Sequence, residues 1–228
     1  MTLLIFDCDG VLVDSEIIAL EALAKLLTGL GRPSDALECR RLFMGKSVKD
    51  VLVGVEAMLG RPLPENWGAE ANAELLDRLA SELRPVANVG AALARLPYPR
   101  CVASSSHPDR IRLSLDAAGL TPFFGERIFS ATEVANGKPA PDLFLYAAGQ
   151  CGASPSQSIV IEDSPAGILA AKRAGMPSIG FAGASHADEE LAADLAAAGA
   201  RIVITKMTDL PAAVETLRAG AFEQGSAT

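Results

Sequence analysis

Two aspartates stand one residue apart at the end of an apolar run, in the stretch LLIFDCDGVLVDSE (residues 3 to 16). An apolar run that meets Gly10 is typical of a buried strand ending in a loop. If the extended backbone continues to residue 9, side-chain alternation places Asp7 and Asp9 on the same side. Two carboxylates at ~4 Å in a medium of dielectric ~20 repel each other by about 4 kcal/mol, so the pair predicts a cation or a shared proton. Two solvated aspartates in a turn are the alternative.

Further polar residues end apolar runs later in the chain, and a lysine lies between two of these runs. The strand-end residues are Ser104, Ser105, Ser106, Glu162 and Asp163, and the lysine is Lys138 in GKPAPD. In open α/β sheets, ligands bind at the carboxyl ends of the strands, so one edge is expected to collect these residues with the two aspartates. Carboxylate oxygens without histidine suit Mg²⁺. Hydroxyls, backbone N–H groups and a lysine suit a phosphoryl group.

The elements that must position these residues alternate along the chain. Short apolar runs are LLIFD (3–7), CVASS (101–105), IVIED (159–163), SIGF (178–181) and RIVI (201–204). Helix-like segments lie between the later runs, among them DRIRLSLDAAG and SPAGILAAKRAG. This alternation predicts an α/β fold with a Rossmann-like, doubly wound parallel sheet. In one helix, Ser164 is the expected N-cap, Pro165 the first residue and Gly175 the end.

The interval between the first two strands is too long for one crossover helix. Residues 16 to 83 hold several helical patterns, broken by GRP, MGK and GRPLPENWG. We therefore predict an α/β catalytic core domain of residues 1–15 and 84–228, with an inserted helical cap domain of residues 16–83. Covering helices of a single domain are the alternative.

Composition limits the class of protein. The 228 residues carry a net charge of −8, and no cluster of Lys and Arg suggests a nucleic-acid partner. The four cysteines form no C-x-x-C pair, which indicates a reducing compartment. No apolar run is long enough for a membrane span, and the first residues lack the basic segment of a signal peptide. We expect a cytoplasmic protein, monomeric or dimeric, without a nucleic-acid or membrane partner.

Four segments in this order resemble the haloacid dehalogenase superfamily, in the branch of β-phosphoglucomutase-like phosphatases with a helical cap. That family has D-x-D-G-[VT], a strand ending in Ser or Thr, a Lys commonly in G-K-P, and a strand ending in E-D. The matching segments here are DCDGV (7–11), VASS (102–105), NGKPAPD (136–142) and IEDS (161–164). The resemblance covers essentially the whole chain.

The resemblance implies a role for each matched residue. Asp7 is the expected nucleophile, which forms an aspartyl-phosphate, and Asp9 is the expected general acid and base. Ser104, Ser105 through its backbone N–H, and Lys138 match the phosphate binders. The Mg²⁺ ligands are expected to be Asp7, the backbone carbonyl of Asp9, and Asp163, with Glu162 acting largely through water.

The second aspartate favours phosphoryl transfer. Relatives that remove halogen from carbon lack it, because their leaving group needs no proton. The resemblance thus implies a Mg²⁺-dependent phosphatase of a small phosphorylated metabolite, a sugar phosphate or phosphosugar acid. A β-phosphoglucomutase-type mutase is disfavoured, since Ala19 and Val48 occupy the apparent positions of its cap histidine and arginine.

Four further residues are candidate substrate contacts. Lys46, Ser47 and Lys49, in MGKSVKD, either bind the substrate or lie on a solvated helix face. His107 either touches the substrate or faces water.

Other classes lack their motifs. G-x-S-x-G of a serine hydrolase and the nucleotide P-loop are absent. A non-catalytic phospho-receiver would need neither the insertion nor Asp9.

Overall fold

The computed structural model describes residues 2–43 and 48–225. The chain divides into a sheet unit, Met1–Asp14 with Arg84–Thr228, and a helical unit, Ser15–Leu83. The strands of the sheet unit are β1 (Leu3–Phe6), β2 (Arg100–Ser104), β3 (Ile128–Ser130), β4 (Ser158–Glu162), β5 (Ser178–Phe181) and β6 (Ile202–Ile204).

The strands form one parallel sheet in the order β3-β2-β1-β4-β5-β6. The chain runs outward from β1 to β3 and then returns to β4 on the other side of β1. This reversal creates a switch point between β1 and β4, where Phe6 is paired with Ile161. The crevice at the carboxyl ends of two such strands is where open α/β sheets bind ligands. The predicted doubly wound, Rossmann-like parallel sheet is confirmed.

Strand β1 is buried on both faces, which explains its unbroken apolar sequence LLIF. Leu3 and Ile5 belong to the core on one face of the sheet. On the opposite face, Phe6 packs edge-on against Phe124, with ring centroids 5.8 Å apart. The residue that follows β1 is thus attached to the centre of the fold.

The helical unit contains α1 (Glu16–Gly29), α2 (Ala36–Phe43), α3 (Val48–Leu59) and α4 (Trp67–Glu82). Its own core includes Leu27, Cys39, Val55 and Trp67. The sequence patterns predicted helices at the positions of α1, α3 and α4. The eight-residue α2 was missed because its sequence, ALECRRLF, is too short to show a clear helical period.

The helices of the sheet unit are α5 (Val89–Ala94), α6 (Pro108–Ala117), α7 (Thr121–Phe124), α8 (Asp142–Gln150), α9 (Pro165–Arg173), α10 (Leu191–Ala198) and α11 (Leu210–Gly225). The predicted caps of α9 are confirmed, since the Ser164 side chain accepts a hydrogen bond from the Gly167 N–H and Pro165 opens the helix. Gly175 follows its end with a φ of 72°. Among the described residues, no helix combines the length and apolar character that crossing a membrane requires.

Candidate active site

Asp7 directly follows β1 and takes part in a buried ion-pair cluster. Lys138 Nζ donates to Asp7 Oδ1 at 2.5 Å and to Glu162 Oε1 at 3.2 Å. The lysine side chain is 5% exposed and that of Glu162 is 1% exposed. Because β1 and β4 are neighbours, their ends place the two carboxylates together, and Lys138 reaches both from the segment before α8. Three predicted site residues are therefore in direct contact.

The cluster of Asp7, Lys138 and Glu162 contains two carboxylates and one ammonium group, so one negative charge has no positive partner within it. Burial raises the pKa of Asp7, against the attraction of Lys138, and the neighbouring carboxylate of Glu162 raises it further. Burial likewise raises the pKa of Glu162. Burial alone would lower the pKa of Lys138, but the two carboxylates outweigh it and raise the pKa. A protonated lysine thus balances one of two buried carboxylates, and a cation would relieve the remaining charge.

Asp163 adds a third carboxylate to this pair. Ligand oxygens of Asp7, Glu162 and Asp163 all lie within 4.8 Å of one another. An all-oxygen donor set of this kind fits Mg²⁺. Gly10 leaves room for the Asp163 carboxylate, because a side chain at position 10 would overlap it. The backbone φ of 75° at this position also favours glycine. The residues present therefore fit the implied ion.

Glu162 is fixed in place by the start of the following segment. Ser164 Oγ donates to Glu162 Oε1 at 2.8 Å, and the Asp163 N–H donates to Oε2 at 3.1 Å. Gly167 is essential to this arrangement, since a Cβ there would overlap the Glu162 side chain. The carboxylate is thus held rigidly by β4 and the first turn of α9.

Asp9 has different partners from Asp7. Strand β1 ends at Phe6 and the backbone bends at Cys8, so the extended path to residue 9 is not formed. Asp9 Oδ2 accepts a hydrogen bond from Ser106 Oγ at 2.7 Å, and Oδ1 accepts one from the Arg110 guanidinium at 3.0 Å. The two aspartates therefore stand in separate environments, one beside a lysine and one beside an arginine.

The serine loop continues from the end of β2. Ser104 is buried, and its hydroxyl accepts a hydrogen bond from the Ser106 N–H at 3.1 Å, which uses an oxygen lone pair and not its hydrogen. Ser105 is exposed. Ser130 Oγ donates to the Ser106 carbonyl at 2.7 Å, so the end of β3 also supports this loop.

Of the four candidate substrate residues, Lys49 and His107 fall within the described part of the chain. Lys46 and Ser47 lie outside the described residues, and Lys49 belongs to α3 without a described side chain. His107 is the N-cap of α6, where its side chain accepts a hydrogen bond from the Asp109 N–H and is 67% exposed. Of its two predicted environments, the described contacts show the solvent-facing one.

Sequence reasoning missed three residues at this site. Ser106 was grouped with the serine run but given no role, and Arg110 was given none. A signal for Arg110 did exist, since it lies four positions after Ser106, in the first turn of a helix that starts from the serine loop. His186, in the loop after β5, is buried with Nε2 3.2 Å from Asp163 Oδ2. This histidine lies outside the four motifs, so nothing in the sequence indicated that it belongs to the site.

Comparisons with known proteins identify the family of this chain. A model of the haloacid dehalogenase-like hydrolase family matches residues 1–175. The chain is 32% identical to a probable pseudouridine-5'-phosphatase of Drosophila melanogaster, over 82% of this chain and 87% of the relative. It is 29% identical to the 6-phosphogluconate phosphatase of Escherichia coli K12, over 79% of this chain and 82% of the relative.

A solved structure extends the match to almost the full chain. It is a conserved haloacid dehalogenase-like protein of unknown function from Agrobacterium tumefaciens C58, 42% identical, with a TM-score of 0.84. The alignment covers 96% of this chain and 99% of the other. The chain therefore belongs to the haloacid dehalogenase-like hydrolase family.

Proposed function

We propose that the protein is a Mg²⁺-dependent phosphatase that hydrolyses a small phosphorylated metabolite through an aspartyl-phosphate intermediate. The observation that carries the proposal is the buried cluster of Asp7, Lys138 and Glu162 with Asp163 beside it, at the switch point of the sheet. The separate placement of Asp9 adds a second carboxylate suited to proton transfer. The phosphatases among the relatives support the same chemistry.

In the first step, a carboxylate oxygen of Asp7 attacks phosphorus and the ester P–O bond breaks. Asp9 gives its proton to the leaving oxygen, so that an alcohol departs. In the second step, Asp9 accepts a proton from water, the water oxygen attacks phosphorus, and the bond between Asp7 and phosphorus breaks. Inorganic phosphate is released and both aspartates return to their initial states.

Other residues bind and orient the phosphoryl group in this proposal. Lys138 holds Asp7 for attack and has further hydrogens to donate to phosphate oxygens. The Ser104 hydroxyl and the backbone N–H of Ser105 supply neutral donors. Asp7, Asp163 and the backbone carbonyl of Asp9 would hold Mg²⁺, with Glu162 acting through water. When bound, the ion supplies the positive charge that lets an anionic nucleophile meet an anionic phosphate.

For the substrate, we propose a sugar phosphate or phosphosugar acid. The 6-phosphogluconate phosphatase among the relatives supports this class. We further propose that the helical unit, inserted directly after the loop that carries Asp9, is a cap that selects the substrate. A cytoplasmic location is also proposed, supported by four cysteines that are all free thiols.

Phosphate release by the purified protein tests the proposal. The panel should include 6-phosphogluconate, pseudouridine 5'-phosphate, hexose phosphates, phosphoglycolate and nucleotides, each with Mg²⁺ and with EDTA. We expect Mg²⁺-dependent release concentrated on one group of compounds, and none from Asp7→Asn. Full activity in Asp7→Asn would refute the mechanism. Interconversion of hexose phosphates without phosphate release would instead identify a mutase. No activity on any compound would favour a phospho-receiver.

A further inference from the structure

The carboxylate of Asp9 is held at both of its oxygens by one short segment of chain. Ser106 Oγ donates to Oδ2 at 2.7 Å and the Arg110 guanidinium donates to Oδ1 at 3.0 Å. Two donors on two different oxygens fix both the position of the carboxylate and its rotation about the Cβ–Cγ bond. Asp9 is therefore oriented from outside the loop that carries it.

The two donors are themselves firmly placed. The Ser106 N–H and carbonyl are bonded to Ser104 Oγ and Ser130 Oγ, which ties this residue to β2 and β3. Arg110 belongs to the first turn of α6, whose N-terminus is capped by His107. Arg110 thus starts from a helix, and Ser106 from a loop that is hydrogen-bonded to the ends of two strands, so both side chains are positioned more exactly than on a free loop.

The pair of Asp9 and Arg110 is also largely shielded from water. The side chains are 16% and 21% exposed, respectively. An ion pair on an open surface contributes little, because solvent and salt screen it and the long side chains lose entropy. Partial burial weakens that screening, and a planar guanidinium constrains the orientation of a carboxylate better than a lysine ammonium can.

We propose that Arg110 is a positioning residue that acts through Asp9, by aiming its carboxyl at the oxygen of the leaving group. This inference rests on the proposed phosphatase function. A general acid contributes about 10²- to 10⁴-fold to rate, and that contribution depends on geometry within hydrogen-bond reach of the leaving oxygen. Loss of Arg110 should remove much of it without removing the nucleophile or the phosphate site.

Leaving groups of different basicity separate this role from others. Nitrophenolate departs readily without a proton, whereas phenolate and above all an alkoxide need one. In kcat/KM, which reports the first step alone, a positioning residue for the acid should therefore matter for phenyl and alkyl phosphates and hardly for p-nitrophenyl phosphate. A substrate-binding arginine would raise KM and leave kcat unchanged, and a merely structural one would lower kcat/KM on all three esters alike.

The experiment measures kcat and KM of the full chain with Mg²⁺ on p-nitrophenyl phosphate, phenyl phosphate and the best alkyl phosphate of the panel. The variants are Arg110→Gln, Arg110→Lys, Asp9→Asn and the double variant Asp9→Asn/Arg110→Gln. Arg112→Gln is the matched control, because Arg112 lies on the same helix with a side chain 51% exposed. Thermal unfolding of each variant checks folding, and Ser106→Ala perturbs the other oxygen of Asp9 if Arg110→Gln does not fold.

We expect Arg110→Gln to lower kcat/KM, which reports the first step, by about 10²-fold on the alkyl and phenyl esters and by less than about threefold on p-nitrophenyl phosphate. The value of kcat also contains the second step, in which Asp9 acts as the base, and should fall on all three esters. Arg110→Lys should recover part of the loss, and Ser106→Ala should show the same selectivity for the leaving group. In the double variant, the second substitution should add little to Asp9→Asn, since both act on one step.

Three results would overturn the role. Arg110→Gln could match Arg112→Gln on every ester, lose kcat/KM equally on all leaving groups, or raise KM with kcat unchanged. Full additivity in the double variant would also contradict it. A parent protein that hydrolyses none of the three esters would overturn the proposed function itself, and with it this role, whereas an active parent with an unaffected variant overturns the role alone.

Discussion

Replacing Asp7 with Asn should stabilise the metal-free protein while abolishing turnover. The physical reason is the charge balance of the buried cluster, in which Lys138 contacts both Asp7 and Glu162. An amide oxygen at position 7 can still accept the hydrogen bond from Lys138. One carboxylate and one ammonium then remain, so the burial of an excess negative charge is avoided.

Burial raises the pKa of Asp7, and this raised pKa determines whether the stability of the protein rises or falls with pH. The folded protein keeps this proton at pH values where the unfolded chain, with a pKa of about 4, has released it. The parent therefore loses stability as the pH rises above about 4, and Asp7→Asn avoids that loss. Since one pH unit of pKa displacement corresponds to about 1.4 kcal/mol, we expect Asp7→Asn to be more stable by about 1–3 kcal/mol at pH 8.

Thermal unfolding followed by circular dichroism, at pH 5 and pH 8 and in EDTA or Mg²⁺, measures this difference. For a chain of this size it corresponds to roughly 2–10 °C in Tm at pH 8 in EDTA, and to less at pH 5. Mg²⁺ should narrow or reverse this difference, because an ion at a hundred times its Kd stabilises the parent by about 2.7 kcal/mol and binds the amide less well. Asp77→Asn, at an exposed position of α4, is the control.

The reasoning would be refuted if Asp7→Asn unfolded at a lower temperature than the parent in EDTA at pH 8. An equal gain from Mg²⁺ in both proteins would likewise show that Asp7 is not a metal ligand. A gain in Asp77→Asn as large as that in Asp7→Asn would point to net charge as the cause, and not to the buried cluster.

Three other substitutions test residues that hold the site carboxylates and the following helix in place. Lys138→Met should lower the free energy of unfolding by about 3–5 kcal/mol in urea, because it leaves two buried carboxylates without their cation, whereas the exposed Lys206→Met should change it by less than about 0.5 kcal/mol. Gly10→Ala should weaken Mg²⁺ binding about 10- to 100-fold in a calorimetric titration, since the added Cβ overlaps Asp163; unchanged affinity would exclude that ligand. Ser164→Ala should cost about 0.5–2 kcal/mol in thermal unfolding through the lost cap of α9, and no loss would show that this cap is dispensable.

The sheet could be predicted largely from sequence, because five of its six strands coincide with short apolar runs that end in small or polar residues. Strand β3 was not predicted, because its three residues Ile128–Ser130 show no periodic pattern and only the pairing with β2 defines the strand. The same argument placed Asp7, Glu162 and Asp163 at one edge, because parallel strands share the direction of their carboxyl ends.

The partners of Asp9 could not be predicted in the same way. Strand alternation placed both aspartates on one side, but the bend at Cys8 ends the extended backbone, so alternation no longer applies. Arg110 lies in the first turn of the helix after the serine loop, a position that could have indicated it, whereas His186 reaches the site from a loop, for which spacing along the sequence carries no rule. Contacts made by long side chains from neighbouring segments are a property of the packed fold.

The central place of β1 also has a consequence for how the protein is made. Leu4 is paired with Arg100 on one side and with Ile159 on the other. Strand β1 therefore pairs fully only after strands that lie far along the chain have formed. Such non-local pairing carries a high entropic cost of loop closure and slows folding. During synthesis, the residues around Asp7 leave the ribosome long before β4 exists to pair with them. The nascent chain thus carries an unpaired apolar strand, exposed to chaperones, until the segment with Glu162 has emerged.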